Sequence, residues 1–337
     1  MASAAVGSPL FILAPARSCS SLISAMLGQH PSLYGFPELR LFRAGTVSGL
    51  LVEPPLGQGM PAWERAAGLV RALAQLHEGE QSREAVDRAF RWLEERAEWP
   101  VASILKHLLE LVSPLVGVEK SPETSSSDAA MRRMSEAFPR ARYLHLVRHP
   151  WSTVTSMVDA WRGLSYWNVP EEMAPRYCLE VWYRQHRRIA AFGAGISPER
   201  FLRVRAEDVV NRPYEVLPTI CRWMAVDASE GSIRRMMTPE RSCYATPGPP
   251  NAFGGYDPKF LEQPQLHSLP HPLSLAPPEG GTCDRSLYLA AVEYARRFGY
   301  DTELTPAATA QVFRLRRPVR RSAWSLPRPP QGPDATA

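Results

Sequence analysis

The sequence has few features of a membrane protein or a disulfide-bonded protein. No apolar run in its 337 residues reaches the length of about 18 residues that crosses a bilayer. The apolar stretch PLFILA near the start lacks the basic region and cleavage pattern of a signal peptide. The five cysteines are scattered, odd in number and never in CxxC spacing, which argues against a disulfide framework and against a zinc site. We therefore expect a folded cytoplasmic protein without a membrane span or a bound metal.

Lysine is also scarce, and the positive charge is unevenly distributed. Only Lys106, Lys120 and Lys259 occur, so 36 of the 39 basic residues are arginines. The net charge of +5 comes from residues 314–337, which hold six arginines and one aspartate, whereas residues 1–313 are neutral overall. This distribution predicts no nucleic-acid partner. The Arg/Pro-rich composition of 314–337 favours a disordered tail or linker, with an anion-binding arm as the alternative.

The apolar pattern predicts strands that alternate with helices. Residues 9–14 and 143–147 are predicted strands, each followed by a polar turn and a helical pattern. Residues 115–125 repeat the pattern of an apolar strand followed by a polar turn, and 200–205 is a fourth predicted strand. Such alternation favours an α/β fold with a central parallel sheet and helices on both faces.

Two longer segments interrupt this pattern. Residues 53–113 contain amphipathic helical stretches and are predicted to form a helical insertion that caps one end of the sheet. Residues 239–284 hold ten of the 33 prolines and are predicted to form a long ordered loop or a mobile lid. We expect one domain over 1–313, followed by the tail 314–337.

The first predicted turn, in FILAPARSCSSLISAML, has the composition of an anion site. A helix that directly follows a strand presents unpaired N–H groups to the turn, and its dipole favours negative charge there. Arg17 adds a positively charged guanidinium group, and Ser18, Ser20 and Ser21 add hydroxyl donors. The structural alternative is that Ser18 caps the helix and Arg17 forms a surface ion pair.

This turn is not that of an ordinary nucleotide-binding P-loop. The pattern G-x-x-x-x-G-K-[ST] is absent, since neither glycine nor lysine lies between Pro9 and Leu27. A kinase or ATPase is therefore disfavoured. The other two turns also carry basic and hydroxyl residues, namely Lys120, Ser121 and Thr124 after the second strand and Arg148, Ser152 and Ser156 after the third. Because ligands of such sheets collect at the carboxyl ends of the strands, the three turns predict one ligand with several anionic groups.

Together these motifs resemble those of sulfotransferases that use 3'-phosphoadenosine 5'-phosphosulfate (PAPS), specifically the bacterial polyketide-pathway and tyrosylprotein types. The stretch APARSCSSLISAML resembles their 5'-phosphosulfate loop, RYLHLVRHPWSTVTSM resembles their 3'-phosphate motif, and VEKSP resembles the strand whose lysine faces the sulfuryl group. The resemblance covers about residues 9–300. It implies a P-loop-like three-layer α/β/α fold with a helical cap insertion, PAPS as the donor, and no metal.

The resemblance also assigns roles to individual residues. It implies that the cofactor is bound by Arg17, Ser18, Cys19, Ser20, Ser21, Arg148, Ser156 and Lys259. Of these, Arg148 and Ser156 match the 3'-phosphate residues of the family. Arg17 and Lys120 are expected to act on the transferring group, where a compact lysine charge suits a leaving oxygen. The alternative for Lys120 is a surface pair with Glu119 or Glu123, and for Lys259 an ordinary surface lysine.

Two residues of the first turn depart from the family pattern, and one of them is Ser20, which stands in for threonine. Cys19 stands where the family usually has glycine, so we expect the backbone there to avoid a positive φ.

The resemblance implies a general base for the acceptor hydroxyl. Glu38, in GFPELRLF, matches the acidic residue that faces the acceptor in the related enzymes. The structural alternative is an ion pair of Glu38 with Arg40 or Arg43. His149 is a competing base, although its place at a helix start is more typical of a capping or packing residue.

The acceptor is expected to be a hydroxyl on a small molecule or on an acyl chain bound to a carrier. Its contacts are expected from the helical insertion and from aromatic residues of the Pro-rich segment, namely Tyr244, Phe253, Tyr256 and Phe260. Two alternative functions remain open at this point: a nucleotide-dependent kinase, and a non-catalytic binding protein on the same fold.

Overall fold

A five-stranded parallel sheet forms the centre of the protein. The computed structural model describes residues 8–52, 66–162, 169–269 and 284–300. The strands are β1 (Leu10–Leu13), β2 (Leu33–Gly35), β3 (Val116–Lys120), β4 (Arg142–Val147) and β5 (Phe201–Arg205), in the order β2-β3-β1-β4-β5. All four neighbouring pairs are parallel, and the central strand β1 is completely buried. The predicted α/β fold with a parallel sheet is confirmed.

Helices connect and cover the strands. The α-helices of the described residues are α1 (Ser20–Leu27), α2 (Val47–Val52), α3 (Ala67–Glu78), α4 (Arg83–Glu94), α5 (Val101–Val112), α6 (Asp128–Ala137), α7 (Pro150–Trp161), α8 (Ala174–Ala194), α9 (Ala206–Asn211), α10 (Pro213–Met224), α11 (Glu230–Arg235), α12 (Pro258–Glu262) and α13 (Arg285–Arg297). Proline begins α7, where its fixed φ suits the first helical position.

The two faces of the sheet are covered by different helices. Lys120, the register partner of Ile12, reaches α1 through Ser21. Tyr143 is the register partner of Phe11, the residue before Ile12, and its ring packs on Phe192 of α8. Because successive side chains of a strand point to opposite faces, α1 and α8 lie on opposite sides of the sheet. This arrangement is the three-layer α/β/α fold that the resemblance implied.

The two predicted interruptions are only partly within the described residues. Helices α3, α4 and α5 account for the helical pattern of the insertion, while 53–65 lies outside the described residues. Of the Pro-rich segment, 239–269 forms a loop that includes the short helix α12, and 270–283 lies outside the described residues. The predicted tail 314–337 also lies outside the described residues.

Candidate active site

The turn between β1 and α1 has a left-handed backbone at two positions. Arg17 has φ 64° and Cys19 has φ 62°. Our expectation that Cys19 avoids a positive φ is therefore wrong: the turn keeps the conformation that glycine usually provides, at a steric cost to a residue with a Cβ. Cys19 also takes the N-cap position of α1 without a side-chain cap. Ser18 is fully buried and does not cap the helix, so that structural alternative is wrong too.

The first and third turns meet at Arg17. Its Nε donates a hydrogen bond to Ser156 Oγ of α7 at 3.1 Å. Arg148 Nη1, at the end of β4, donates to the carbonyl oxygen of Arg17 at 2.7 Å. The carbonyl oxygen of Arg148 in turn accepts a 3.0 Å bond from the indole of Trp182 in α8. Two arginines from the turns after different strands thus lie at the same edge of the sheet, and Arg17 is not a surface residue, since its side chain is 8% exposed.

A carboxylate from the Pro-rich segment neutralises Arg17. Asp257 forms an ion pair with the Arg17 guanidinium, and the Asp257 N–H donates to Ser21 Oγ at 3.1 Å. Sequence reasoning did not identify Asp257. Its place in AFGGYDPKF, the one acidic residue of that stretch, could have drawn attention to it.

Lys120 is a buried residue of the site. Its side chain is 1% exposed, and its Nζ donates to Ser21 Oγ at 2.6 Å and forms an ion pair with Glu38. The Nζ also lies 5.3 Å from the centroid of the Tyr256 ring. The alternative of a surface pair with Glu119 or Glu123 is therefore wrong. Lys120 instead connects the first turn to the candidate base.

Glu38 accepts contacts from two cations. In addition to Lys120, Arg40 Nη2 lies 3.0 Å from Glu38 Oε2, so part of the structural alternative is also present. Arg43 turns away and donates to the carbonyl oxygen of Leu50 at 2.6 Å. Burial alone would raise the pKa of Glu38, but the charges of Lys120 and Arg40, together with their hydrogen bonds, lower it below the ordinary value. Glu38 is therefore a carboxylate at neutral pH.

The remaining predicted residues differ in their exposure. The Lys259 side chain is 56% exposed, and its Nζ lies 3.9 Å from a carboxylate oxygen of Asp159 in α7. The His149 ring packs against Tyr300 with centroids 5.4 Å apart, as a packing residue would. Of the four aromatic residues expected to contact the acceptor, only Phe253 is exposed. Tyr244, Tyr256 and Phe260 are buried, and Tyr256 lies beside Lys120.

The residues at the strand ends suit an anionic ligand. Ser18 Oγ and Arg148 Nε are buried and have no hydrogen-bond partner among the described residues, although buried polar atoms are normally paired. Both are donors, and both belong to the two turns joined by Arg17. Within the described residues no group of three or more His, Cys, Asp and Glu side chains has the arrangement of a metal site. The same residues include no helix that is long and apolar enough to cross a membrane.

A parallel sheet whose strand ends gather arginines, a buried lysine and a serine-rich helix start defines an α/β protein that handles an anionic group. The sequence identifies the family. The chain belongs to the sulfotransferase family, whose model matches residues 9–230, more than half of the chain. It is thus a transferase that moves sulfuryl groups, as the motifs predicted.

Solved sulfotransferases share this fold. The sulfotransferase domain of the curacin biosynthetic pathway superposes with a TM-score of 0.69 at 21% identity, covering 88% of this chain and 99% of that one. The sulfotransferase domain of the Synechococcus PCC 7002 olefin synthase gives 0.66 at 26% identity, covering 88% and 96%. Sulfotransferase STF9 from Mycobacterium avium gives 0.52 at 18% identity, covering 88% and 78%. No curated protein matches the sequence significantly.

Proposed function

We propose that this sulfotransferase takes its sulfuryl group from PAPS and transfers it to a hydroxyl group. The observation that carries the proposal is the junction of the first and third turns. Arg17 Nε donates to Ser156 Oγ at 3.1 Å, and Arg148 Nη1 donates to the Arg17 carbonyl oxygen at 2.7 Å. A nucleotide with phosphates at its 3' and 5' positions needs cationic donors at two places, and these two turns supply them side by side.

In this proposal the two turns bind different parts of the nucleotide. The first turn holds the 5'-phosphosulfate with its backbone N–H groups and with Arg17, Ser18, Cys19, Ser20 and Ser21. Cys19 contributes through its backbone, because burial raises the pKa of its thiol and keeps it protonated. Arg148 and Ser156 hold the 3'-phosphate, and Lys259 adds positive charge from α12. The buried, unpaired donors Ser18 Oγ and Arg148 Nε support this division.

Bound PAPS supplies an activated sulfuryl group, and negative charge develops on its bridging oxygen during transfer. Lys120 and Arg17 are the cations assigned to that charge. Lys120 is well suited because it is buried, where a charge interacts more strongly than in water. Asp257 pairs with Arg17 and Glu38 pairs with Lys120, so each of these two cations has a carboxylate beside it.

Glu38 is the proposed general base that accepts the proton of the acceptor hydroxyl. Its lowered pKa means that it is already deprotonated at neutral pH. Lys120 and Arg40 each contact one of its two carboxylate oxygens and so orient it. The acceptor hydroxyl belongs to a small molecule or to a carrier-bound acyl chain, in keeping with the polyketide-pathway resemblance and with a role in secondary metabolism.

A ligand-dependent thermal unfolding experiment tests the donor assignment. We expect the desulfonated product 3'-phosphoadenosine 5'-phosphate (PAP) to stabilise the protein by about 2.7 kcal/mol at 100 times its Kd. ATP with Mg²⁺ should give no comparable shift. Stabilisation by ATP alone would support the kinase alternative, and stabilisation by neither would support a non-catalytic protein.

Turnover requires a separate assay with defined acceptors. Radiolabelled PAPS is incubated with 2-naphthol, a free small molecule, and with 3-hydroxybutyryl-N-acetylcysteamine, which mimics a carrier-bound acyl chain. Label transfer to the second compound alone favours the carrier-bound acceptor. Transfer to the naphthol alone favours a free acceptor.

A further inference from the structure

The backbone of Glu38 lies in a narrow contact between the helical insertion and the Pro-rich segment. Gly68 of α3 faces the Glu38 carbonyl so closely that a Cβ built on Gly68 would lie 2.1 Å from that oxygen. The Glu38 N–H donates to the carbonyl oxygen of Gly255 at 2.6 Å. Gly255 has φ +110°, and a Cβ on it would lie 3.0 Å from Gly68 Cα. Only residues without a side chain fit this contact.

Arg71, one helical turn after Gly68, attaches the Pro-rich segment to the same helix. It is 1% exposed, and its two terminal nitrogens donate at 2.8 Å to the carbonyl oxygens of Gly254 and Thr246. Its Nε donates to Gln81 Oε1 at 2.7 Å. No carboxylate of the described residues forms an ion pair with Arg71. A buried guanidinium that is satisfied only by neutral oxygens acts here as a hydrogen-bonding anchor.

The anchored segment reaches every group assigned to the reaction. Gly254, bound by Arg71, precedes Gly255, which holds the backbone of Glu38. Tyr256 packs beside the Lys120 ammonium. Asp257 donates to Ser21 Oγ and pairs with Arg17. Four consecutive residues thus connect one buried arginine of the insertion to the base and to both cations of the site.

We propose that Gly68 and Arg71 are positioning residues of the transfer: they fix the Glu38 backbone and the 254–257 segment in the geometry that the reaction needs. The helical insertion then contributes to catalysis as well as to any acceptor contact. This inference rests on the proposed role of Glu38. A misplacement of about 1 Å in a catalytic group is enough to lower turnover about 100-fold.

The test compares Gly68→Ala, Arg71→Met and the conservative Arg71→Lys with Gly231→Ala. Gly231 also lies in a helix, but a Cβ there would meet only Ser229 Oγ, at 3.9 Å. We expect Gly68→Ala to lower kcat on the order of 100-fold while the Kd for PAP changes less than about threefold. Arg71→Met should behave similarly and Arg71→Lys should retain part of the turnover, because lysine keeps the charge without the planar fork. Gly231→Ala should match wild type.

Hydrogen–deuterium exchange provides a readout that does not need turnover. Peptides that contain the Glu38 and Asp257 amides should exchange faster in Gly68→Ala and Arg71→Met than in wild type or Gly231→Ala. The Glu38 amide donates to Gly255 and the Asp257 amide donates to Ser21 Oγ, so both hydrogen bonds involve the segment that Arg71 anchors. Unchanged exchange with unchanged kcat in both variants would overturn the positioning role, even if wild type binds PAP. Failure of wild type to bind PAP would instead overturn the donor assignment. The exchange rates of the variants would then still test whether Gly68 and Arg71 fix the Glu38 backbone.

Discussion

Arg17 and Ser156 are 139 positions apart in the sequence, yet the Arg17 Nε donates a 3.1 Å hydrogen bond to the Ser156 hydroxyl. The bond connects the turn between β1 and α1 to α7, the helix that follows β4. Arg148 strengthens the connection by donating to the Arg17 carbonyl oxygen. The two turns are therefore held together by these hydrogen bonds.

Replacement of Arg148 should weaken nucleotide binding. Arg148→Ala removes a charged donor assigned to the 3'-phosphate, and a hydrogen bond to a charged group contributes about 1.5–3 kcal/mol, or about 10-fold to 100-fold in Kd. Calorimetric titration with PAP measures the loss. Arg184→Ala is the matched control, because Arg184 is an exposed arginine of α8 that pairs with Glu180. Equal PAP affinity in the two variants would remove Arg148 from the nucleotide site.

Replacement of Glu38 should separate binding from turnover. Glu38→Gln keeps the shape and the acceptor oxygen but cannot accept a proton, so kcat should fall by about 10²-fold to 10⁴-fold with little change in the Kd for PAP. Glu123→Gln is the control, since Glu123 pairs with Arg40 at 3.2 Å but has no contact with Lys120. Full activity of Glu38→Gln would show that another group takes the proton.

The left-handed turn predicts opposite effects of two Cys19 variants. Glycine has no Cβ and adopts φ 62° freely, so Cys19→Gly should unfold with a free energy equal to wild type or higher by up to about 1 kcal/mol. Cys19→Val should be less stable by about 1 kcal/mol or more, because β-branched residues rarely adopt this conformation. Urea denaturation measures both. A valine variant as stable as wild type would contradict the left-handed geometry.

A buried histidine pair should make the protein sensitive to acid. His145 Nε2 and His186 Nδ1 are 2.9 Å apart, and burial lowers the pKa of His186 to about 3 and that of His145 well below the ordinary value of 6.5. The unfolded chain binds protons at these sites below about pH 6.5, whereas the folded protein does not, so the free energy of unfolding falls as pH decreases through that value.

Denaturation of wild type and His186→Phe at about pH 7.5 and about pH 5 isolates this effect. Other titrating groups, including Glu119, whose pKa burial raises to about 7, are common to both proteins and cancel in the difference. Wild type should lose more stability than the variant over this interval. An equal loss in both proteins would show that His186 does not contribute to the pH dependence.

Sequence reasoning recovered four of the five strands of the sheet. β1, β3, β4 and β5 and the proline start of α7 follow from the apolar pattern and from the fixed φ of proline. β2 was missed because its three residues, LYG, are too few for an alternating pattern and end in glycine. The expectation about Cys19 was wrong because it was based on side-chain preference, whereas the surrounding turn imposes the backbone conformation.

The candidate site was only partly predictable for a related reason. Local motifs identified Arg17, Lys120 and Arg148, each at the end of a strand. The partners that neutralise or orient them come from distant segments: Asp257 pairs with Arg17, and Arg71 anchors the segment that carries Asp257. Contacts of this kind depend on how the insertion packs against the Pro-rich segment, and no periodic pattern in a single sequence encodes that packing.

Titration of the wild-type protein with PAP and with adenosine 5'-phosphate tests the central claim most directly. The two ligands differ by the 3'-phosphate assigned to Arg148 and Ser156, so PAP should bind at least about tenfold more tightly. Equal affinity for the two nucleotides, or no binding of PAP, would contradict a site that holds both ends of the nucleotide.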